Sequence, residues 1–517
     1  MPRTPGVPAP FPVDRSVRID AIPRRWAAAL PGGAAIREDA RVVDWRGLVA
    51  AVDACSAVLS DASVRPGDRL MIVAENSTAL IVALFAASTL DACAVVVNPR
   101  LAPRELEAMR DHARPRRVLF ATGIAAEIDG HARRIGATPI DVPGAGALAM
   151  SAPDAETVAE PVPSDPAERL AVIVYTTGTS GRPKGVMLTH ANLQFVAGTS
   201  ARLRDIGPRD RVFGALPVYH VYGLASMLLG SFVGGACLHV VARFDAQRAL
   251  DALAHDGVTV FQGVPAMYAR MLERLPEGVR ASAPSLRYLY AGCSTLDPTL
   301  KAEVERRFGC PLHNGYGLTE CSPTVSQTLL GAPRADTAVG PPIPGVAVRI
   351  VAPDGDDAAP GAAGELWVRG PNVMKGYYRD PQATAEAITA DGWLRTGDLA
   401  RLEPDGALSI VGRSKDLIIR SGLNVHPSEV ETVLNAHPAV AQSVVVGRPV
   451  ADGNEEVVAF VELAHGRTVG TGELAAHAAA QLAPYKRPSE IRIMEALPAS
   501  PTGKVLRAQL KALAQSA

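Results

Sequence analysis

Tyr175-Thr-Thr-Gly-Thr-Ser-Gly-Arg-Pro-Lys-Gly185, YTTGTSGRPKG, follows directly on the apolar run Leu170 to Tyr175, LAVIVY. A buried strand ending in Gly178, Gly181, three threonines and Ser180, and then reaching Lys184, has the makings of an anion cradle. Glycine lets backbone N–H groups approach a phosphate, hydroxyls donate to it, and the ammonium offsets its charge. The spacing is not that of a GxxxxGK[ST] loop, because Gly178 and Gly181 are three apart and Lys184 follows a proline. A solvated Gly/Ser/Thr linker would share this composition. The strand ahead of the loop and the helical run Asn192 to Ala201 behind it favour the cradle.

Working outward, the stretches Trp45 to Leu59, Arg69 to Val73, Thr78 to Thr89, Ala94 to Val97, Pro103 to His112 and Arg117 to Phe120 alternate helical patterns with short β-branched runs. They predict βαβ units on a largely parallel sheet. Gly144 to Ala167 reads as a surface connector. A second βα series runs from Arg211 to about Asn314, and strand-rich, glycine-punctuated sequence from Ala338 to Val411 predicts a barrel-like piece. Beyond Gly412 a compact unit mixes strands (Gln442 to Val446, Glu456 to Glu462) with helices (Pro427 to Asn435, Glu473 to Leu482).

The expected class is therefore α/β: a large N-terminal domain (1–412) of βαβ subdomains plus the barrel-like piece, a hinge (413–418), and a small mobile α+β C-terminal domain (419–517). A chain of 517 residues exceeds one compact core of ~150 residues. Lys plus Arg is 52 against 53 Asp plus Glu, so no global field draws the chain to nucleic acid or anionic lipid. A small-molecule substrate is the default. The six cysteines form no CxxC pair, which fits a reducing cytoplasm better than a disulfide framework or a zinc site. The N-terminal arm lacks the apolar core of a signal peptide. Asp91 and Asn98-Pro99-Arg100 interrupt the apolar stretch Thr78 to Val97, which predicts a buried helix and strand, with no integral membrane span.

Further motifs follow the loop in order: Leu216-Pro-Val-Tyr-His-Val-Tyr-Gly223, Asn314-Gly-Tyr-Gly-Leu-Thr-Glu320, Gly392-Trp-Leu-Arg-Thr-Gly-Asp398, Gly412-Arg-Ser-Lys-Asp-Leu-Ile418 and Pro498-Ala-Ser-Pro-Thr-Gly-Lys504. Taken singly, each would pass for an ordinary turn or a buried aromatic. Together with the loop, over more than three hundred residues, they resemble the adenylate-forming superfamily of acyl-CoA synthetases, luciferases and nonribosomal-peptide adenylation domains. The pattern is most similar to fatty-acid or aryl-acid CoA ligases.

The resemblance implies an enzyme that uses ATP, Mg²⁺ and coenzyme A to convert a carboxylic acid to an acyl-AMP and then to an acyl-CoA thioester, releasing pyrophosphate and AMP. It implies catalytic roles for Lys504, His220, Thr319 and Glu320. Contacts to ATP or AMP are implied for Thr176, Thr177, Gly178, Thr179, Ser180, Gly181, Lys184, Gly292, Tyr316, Gly317, Asp398 and Arg413. Tyr316 would stack on adenine, Thr319 meet the α-phosphate, and Asp398 accept from the ribose hydroxyls. Glu320, with Thr176, would hold Mg²⁺, which takes few carboxylates and several phosphate oxygens. Lys415 takes the pivot position of the hinge.

Ser421, Gly422 and Leu423 resemble the coenzyme A side segment, with Ser421 replacing the commoner glycine. The acid pocket would draw on His220, Tyr222, Val264, Met267, Cys293, Pro323 and Val325, a mostly apolar set. LPVYHVYGLAS has no Asp to grip an ammonium group, so aryl or fatty acids are favoured over amino acids. Ala291-Gly292-Cys293 stands where many relatives carry Gly-Gly-Ala. Two other readings stay open: an adenylating enzyme that loads a carrier protein in trans, and a non-catalytic nucleotide-binding homologue. A monomer or a homodimer is expected.

Overall fold

The computed structural model describes residues 17–177, 183–420, 423–450, 454–464, 466–499 and 505–516. Two eight-stranded sheets form its larger part. In the first, the order is Gly376–Tyr377, Pro183–Thr189, Leu170–Thr177, Cys93–Val97, Arg69–Val73, Arg117–Ala121, Leu148–Met150 and Thr138–Ile140. Its centre is parallel, as the alternation of strands and helices predicts. Leu148–Met150, buried throughout, adds an antiparallel strand from within the stretch expected to be a surface connector. Three residues bounded by glycine and proline-rich sequence are too short a run for periodicity to reveal.

The second sheet has the order Thr324–Gln327, Leu312–Gly317, Tyr288–Ala291, Val260–Gly263, Arg211–Gly214, Cys237–Val240, Ala34–Glu38 and Arg41–Asp44. One hydrophobic core runs across both sheets and includes the helix Thr78–Thr89. That helix is apolar on every side, and its N-cap Ser77 accepts from the Leu80 N–H. Among the described residues no helix is long and apolar enough to cross a membrane.

The strand-rich stretch supplies the barrel-like piece as four antiparallel strands, Ala347–Val351, Gly364–Arg369, Leu394–Leu402 and Leu408–Arg413. Further on, Val440–Pro449, Glu455–Leu463 and Glu490–Met494 form a three-stranded sheet. Pro427–Asn435, Thr471–Gln481 and Arg507–Gln515 cover it, and it encloses two cores of its own. The Ser428 hydroxyl donates to the Val411 carbonyl at 2.6 Å, and Lys511 Nζ to Asp416 Oδ1 at 2.9 Å, so the two polar contacts meet the chain on either side of Lys415.

Candidate functional site

The strand Leu170–Thr177 does not pass through its loop straight into a helix. It returns as the antiparallel strand Pro183–Thr189, with Tyr175 opposite Gly185 and Thr176 opposite Lys184. Val186 and Leu188 are buried and Met187 half-buried, the alternation of a strand with one face on the core. The helix His190–Leu203 starts only at Thr189, where the Asn192 N–H donates to Thr189 Oγ1 and the Thr189 N–H to Asn192 Oδ1. Lys184 thus stands on a paired strand rather than in the loop. Gly178, Thr179, Ser180 and Gly181 lie outside the described residues, and of Thr177 only the backbone is described.

Next to this hairpin the short strand Gly376–Tyr377 pairs antiparallel, Tyr377 opposite Val186. The Tyr377 hydroxyl donates to Glu320 Oε1 at 2.9 Å, and Lys184 Nζ lies 4.7 Å from the centre of its ring. Glu320 sits in the single turn Thr319–Cys321, held to the same segment by the Met374 N–H, which donates to the Glu320 carbonyl. Among the described residues no three His, Cys, Asp or Glu side chains converge as a metal cage. A carboxylate that shares the Tyr377 side chain with Lys184, itself opposite Thr176 on the ladder, suits Mg²⁺, which keeps most of its shell for water and phosphate oxygens.

Asp398 is 4% exposed and takes a hydrogen bond on each oxygen, from the Tyr316 hydroxyl on Oδ2 and from Arg413 Nε at 2.7 Å on Oδ1. Strand pairing makes this geometry, since Asp398 and Arg413 are opposite one another. Burial, and then the Asp398 carboxylate, push the Tyr316 phenol far above its ordinary pKa, so it donates at neutral pH. The same carboxylate raises Arg413. Tyr316 is half-buried, and Gly317 beside it is exposed. A Cβ on Gly317 would stand 2.2 Å from the Pro323 carbonyl oxygen, so only glycine lets the turn close. Gly292 follows Ala291, which pairs with Asn314, so the structure brings it beside the Tyr316 turn.

His220 lies between the strand Arg211–Gly214 and the π-helical turn Tyr222–Leu229, an irregularity often found at functional sites. The Tyr222 N–H donates to His220 Nδ1 at 3.3 Å, which leaves the proton of a neutral ring on Nε2. Asn76 holds this loop from outside. Its amide donates to the Gly214 and Leu216 carbonyls at 3.0 and 2.9 Å and accepts from the Val218 N–H at 2.8 Å. Replacing Asn76 by Ala is expected to raise the KM for the acid several-fold and leave the KM for ATP unchanged, as steady-state kinetics would read. Each buried carbonyl left unpaired costs about 1–3 kcal/mol.

Tyr222, Val264, Met267, Pro323 and Val325 are buried and Cys293 half-buried. Behind them lies a residue that periodicity does not single out, Arg204, at 1% exposure. It donates to Ser226 Oγ, Gln262 Oε1 and Gln327 Oε1, and its guanidinium carbon is 4.3 Å from the centre of the Tyr290 ring.

The remaining positions are spread toward the C-terminus. Lys415 is exposed, in the turn Ser414–Asp416, and Leu423 begins the short strand Leu423–Val425. Ser421, Gly422 and Lys504 lie outside the described residues.

This arrangement has counterparts. A family model described as AMP-binding enzyme matches residues 23–378, and one described as AMP-binding enzyme C-terminal domain matches residues 429–504. Over 496 residues the chain is 33% identical to an indoleacetate–CoA ligase of Aromatoleum aromaticum, covering 95% of this chain and 96% of that one. Over 508 residues it is 33% identical to a feruloyl-CoA synthase of an Amycolatopsis species, covering 96% and 99%. Among solved structures, the O-succinylbenzoate coenzyme A synthetase of Bacillus subtilis in complex with ATP and magnesium ion superposes with a TM-score of 0.80 at 30% identity, over 95% of this chain and 99% of that one. The chain belongs to the AMP-binding enzyme family.

Proposed function

We propose that this AMP-forming acid–CoA ligase takes a compact aromatic carboxylic acid. The observation that carries the substrate class is the polar closure behind the apolar pocket positions. Tyr222 and Tyr290 stand with ring centres 6.0 Å apart, and beyond Tyr290 comes the buried Arg204 guanidinium with Ser226, Gln262 and Gln327. A long alkyl tail running past these rings would desolvate a charge without pairing it. A planar acid that ends at the tyrosines would pack on them. Relatives that act on indoleacetate and that form feruloyl-CoA agree with this reading.

The chemistry asks for two kinds of help. Attack of the carboxylate on the α-phosphorus of ATP forms acyl-AMP and expels pyrophosphate, so positive charge must face both the entering and leaving oxygens. In our reading Lys184 and Lys504 supply it from the chain. Glu320 and Thr176 would hold Mg²⁺, which screens the phosphate oxygens when bound. His220, donating from Nε2, orients the acid. Asp398 and Tyr316 hold the nucleoside, with Arg413 beside them. In the second step the thiol of coenzyme A attacks the acyl carbon and AMP leaves. We assign Lys415 to the hinge between the units on either side of 413–418, and Ser421, Gly422 and Leu423 to the thiol side. The same reading places the enzyme in the cytoplasm, where ATP and coenzyme A are supplied, as a monomer or homodimer.

Pyrophosphate release, measured across arylacetic, cinnamic, medium-chain and long-chain fatty acids with and without coenzyme A, is the test. Aryl acids are expected to give the highest kcat/KM, with thioester formed only when coenzyme A is present. A long-chain acid that outperforms every aryl acid would overturn the substrate class.

A further inference from the structure

Tyr377 joins two groups that motif spacing leaves unconnected, the ammonium of Lys184 and the carboxylate of Glu320. The backbone holds it firmly. Its strand pairs with Pro183–Thr189, its N–H donates to Thr384 Oγ1 at 2.9 Å, and Gly376 before it has φ 145°. A Cβ on Gly376 would stand 2.8 Å from Thr384 Cγ2, so the close approach that fixes the tyrosine needs glycine there. The Glu320 carboxylate is an acceptor only, so the phenol hydroxyl donates to it.

We propose that Tyr377 is the positioning residue of the triphosphate site: its hydroxyl pins Glu320 through Oε1 and leaves Oε2 to the metal ion, while its ring fixes the Lys184 ammonium for the phosphates. The proposal rests on the reading of Glu320 as the metal-holding carboxylate. A carboxylate that must rotate into place binds a cation more weakly than one already held, and loss of such an outer partner typically lowers metal affinity by ~10-fold to 100-fold. A ring face over an ammonium contributes less, but it confines a side chain that would otherwise sample many rotamers.

The test is equilibrium binding of Mn²⁺, in place of Mg²⁺, to the full chain with an unreactive α,β-methylene analogue of ATP, read by electron paramagnetic resonance. Metal-free binding of the same analogue is read in parallel. Tyr377→Phe is expected to weaken Mn²⁺ by ~10-fold and leave metal-free nucleotide binding and the melting temperature unchanged. Tyr377→Leu is expected in addition to weaken metal-free nucleotide binding by ~3-fold, as Lys184 loses its ring. Glu320→Gln should lose Mn²⁺ affinity at least as strongly, and Tyr377→Phe combined with Glu320→Gln should lose no more than Glu320→Gln alone.

Unchanged Mn²⁺ affinity in Tyr377→Phe, or additive losses in the double variant, overturns the role of Tyr377. Unchanged Mn²⁺ affinity in Glu320→Gln overturns the metal reading beneath it. A further measurement leaves position 377 a tyrosine: with 3-fluorotyrosine incorporated, the ¹⁹F resonance of Tyr377 should move when Mg²⁺ joins the nucleotide complex and stay in Glu320→Gln. A resonance that Mg²⁺ does not move overturns the proposal.

Discussion

Asp398→Asn is expected to reduce ATP-dependent pyrophosphate release by ~10²-fold to 10⁴-fold, mainly as a raised KM for ATP, with the acid KM little changed. The carboxylate is 4% exposed and already takes one hydrogen bond on each oxygen, from Tyr316 and Arg413. Each oxygen keeps a second lone pair, so the side chain can accept from two vicinal ribose hydroxyls without releasing either protein partner. A hydrogen bond to a charged acceptor contributes about 1.5–3 kcal/mol, and every 1.36 kcal/mol is tenfold in rate, which sets the range for two such bonds. Asparagine keeps the shape, loses the charge and presents an amide N–H to either the Tyr316 hydroxyl or Arg413. The melting temperature, measured beside the kinetics, separates lost recognition from lost folding. If the KM for ATP rises less than threefold in a folded variant, the ribose role of Asp398 fails.

The two halves of that site were not equally legible in the sequence. The strand Leu170–Thr177 and the helix Thr78–Thr89 could be read because continuous apolar runs bounded by Gly, Asp and Pro leave little choice of structure. The pairing of Asp398 with Arg413 comes from two neighbouring strands of one sheet, and the motifs name the two residues only separately. Pro183–Thr189 carries little strand signal of its own, since proline and glycine fall within it and its pairing partner is decided by the return of the chain across the loop.

Asn76, Arg204 and Tyr377 had no local signal at all. Asn76 acts on Gly214 and Leu216, 138 and 140 residues away, Arg204 on Gln327, 123 away, and Tyr377 on Glu320, 57 away. Each is a polar side chain whose meaning depends on which carbonyl, amide or carboxylate the fold places opposite it, and neither propensity nor periodicity carries that information. The residues proposed for the acid pocket read as mostly apolar and are mostly buried, whereas the polar groups behind them carry no such signal.

Lys504→Ala should depress adenylation by ~10²-fold to 10³-fold, the usual effect of removing one preorganised charge from a developing anion, and spare the second half-reaction. Lys504 lies outside the described residues, and the role proposed for it rests on the resemblance of the motif Pro498-Ala-Ser-Pro-Thr-Gly-Lys504. The two steps need different charges. Formation of acyl-AMP places negative charge on the α-phosphate and the departing pyrophosphate, where a second ammonium would stabilise the transition state more than the ground state. Thioester formation expels AMP from a carbonyl and gains nothing from a lysine at the pyrophosphate side. Supplying synthetic acyl-AMP and coenzyme A to the variant isolates the second step. Near wild-type thioester formation from acyl-AMP, together with crippled pyrophosphate release from the free acid, is the expected result. Equal loss of both steps would instead mark Lys504 as a residue that supports the C-terminal unit's structure, and normal pyrophosphate release would remove it from the reaction.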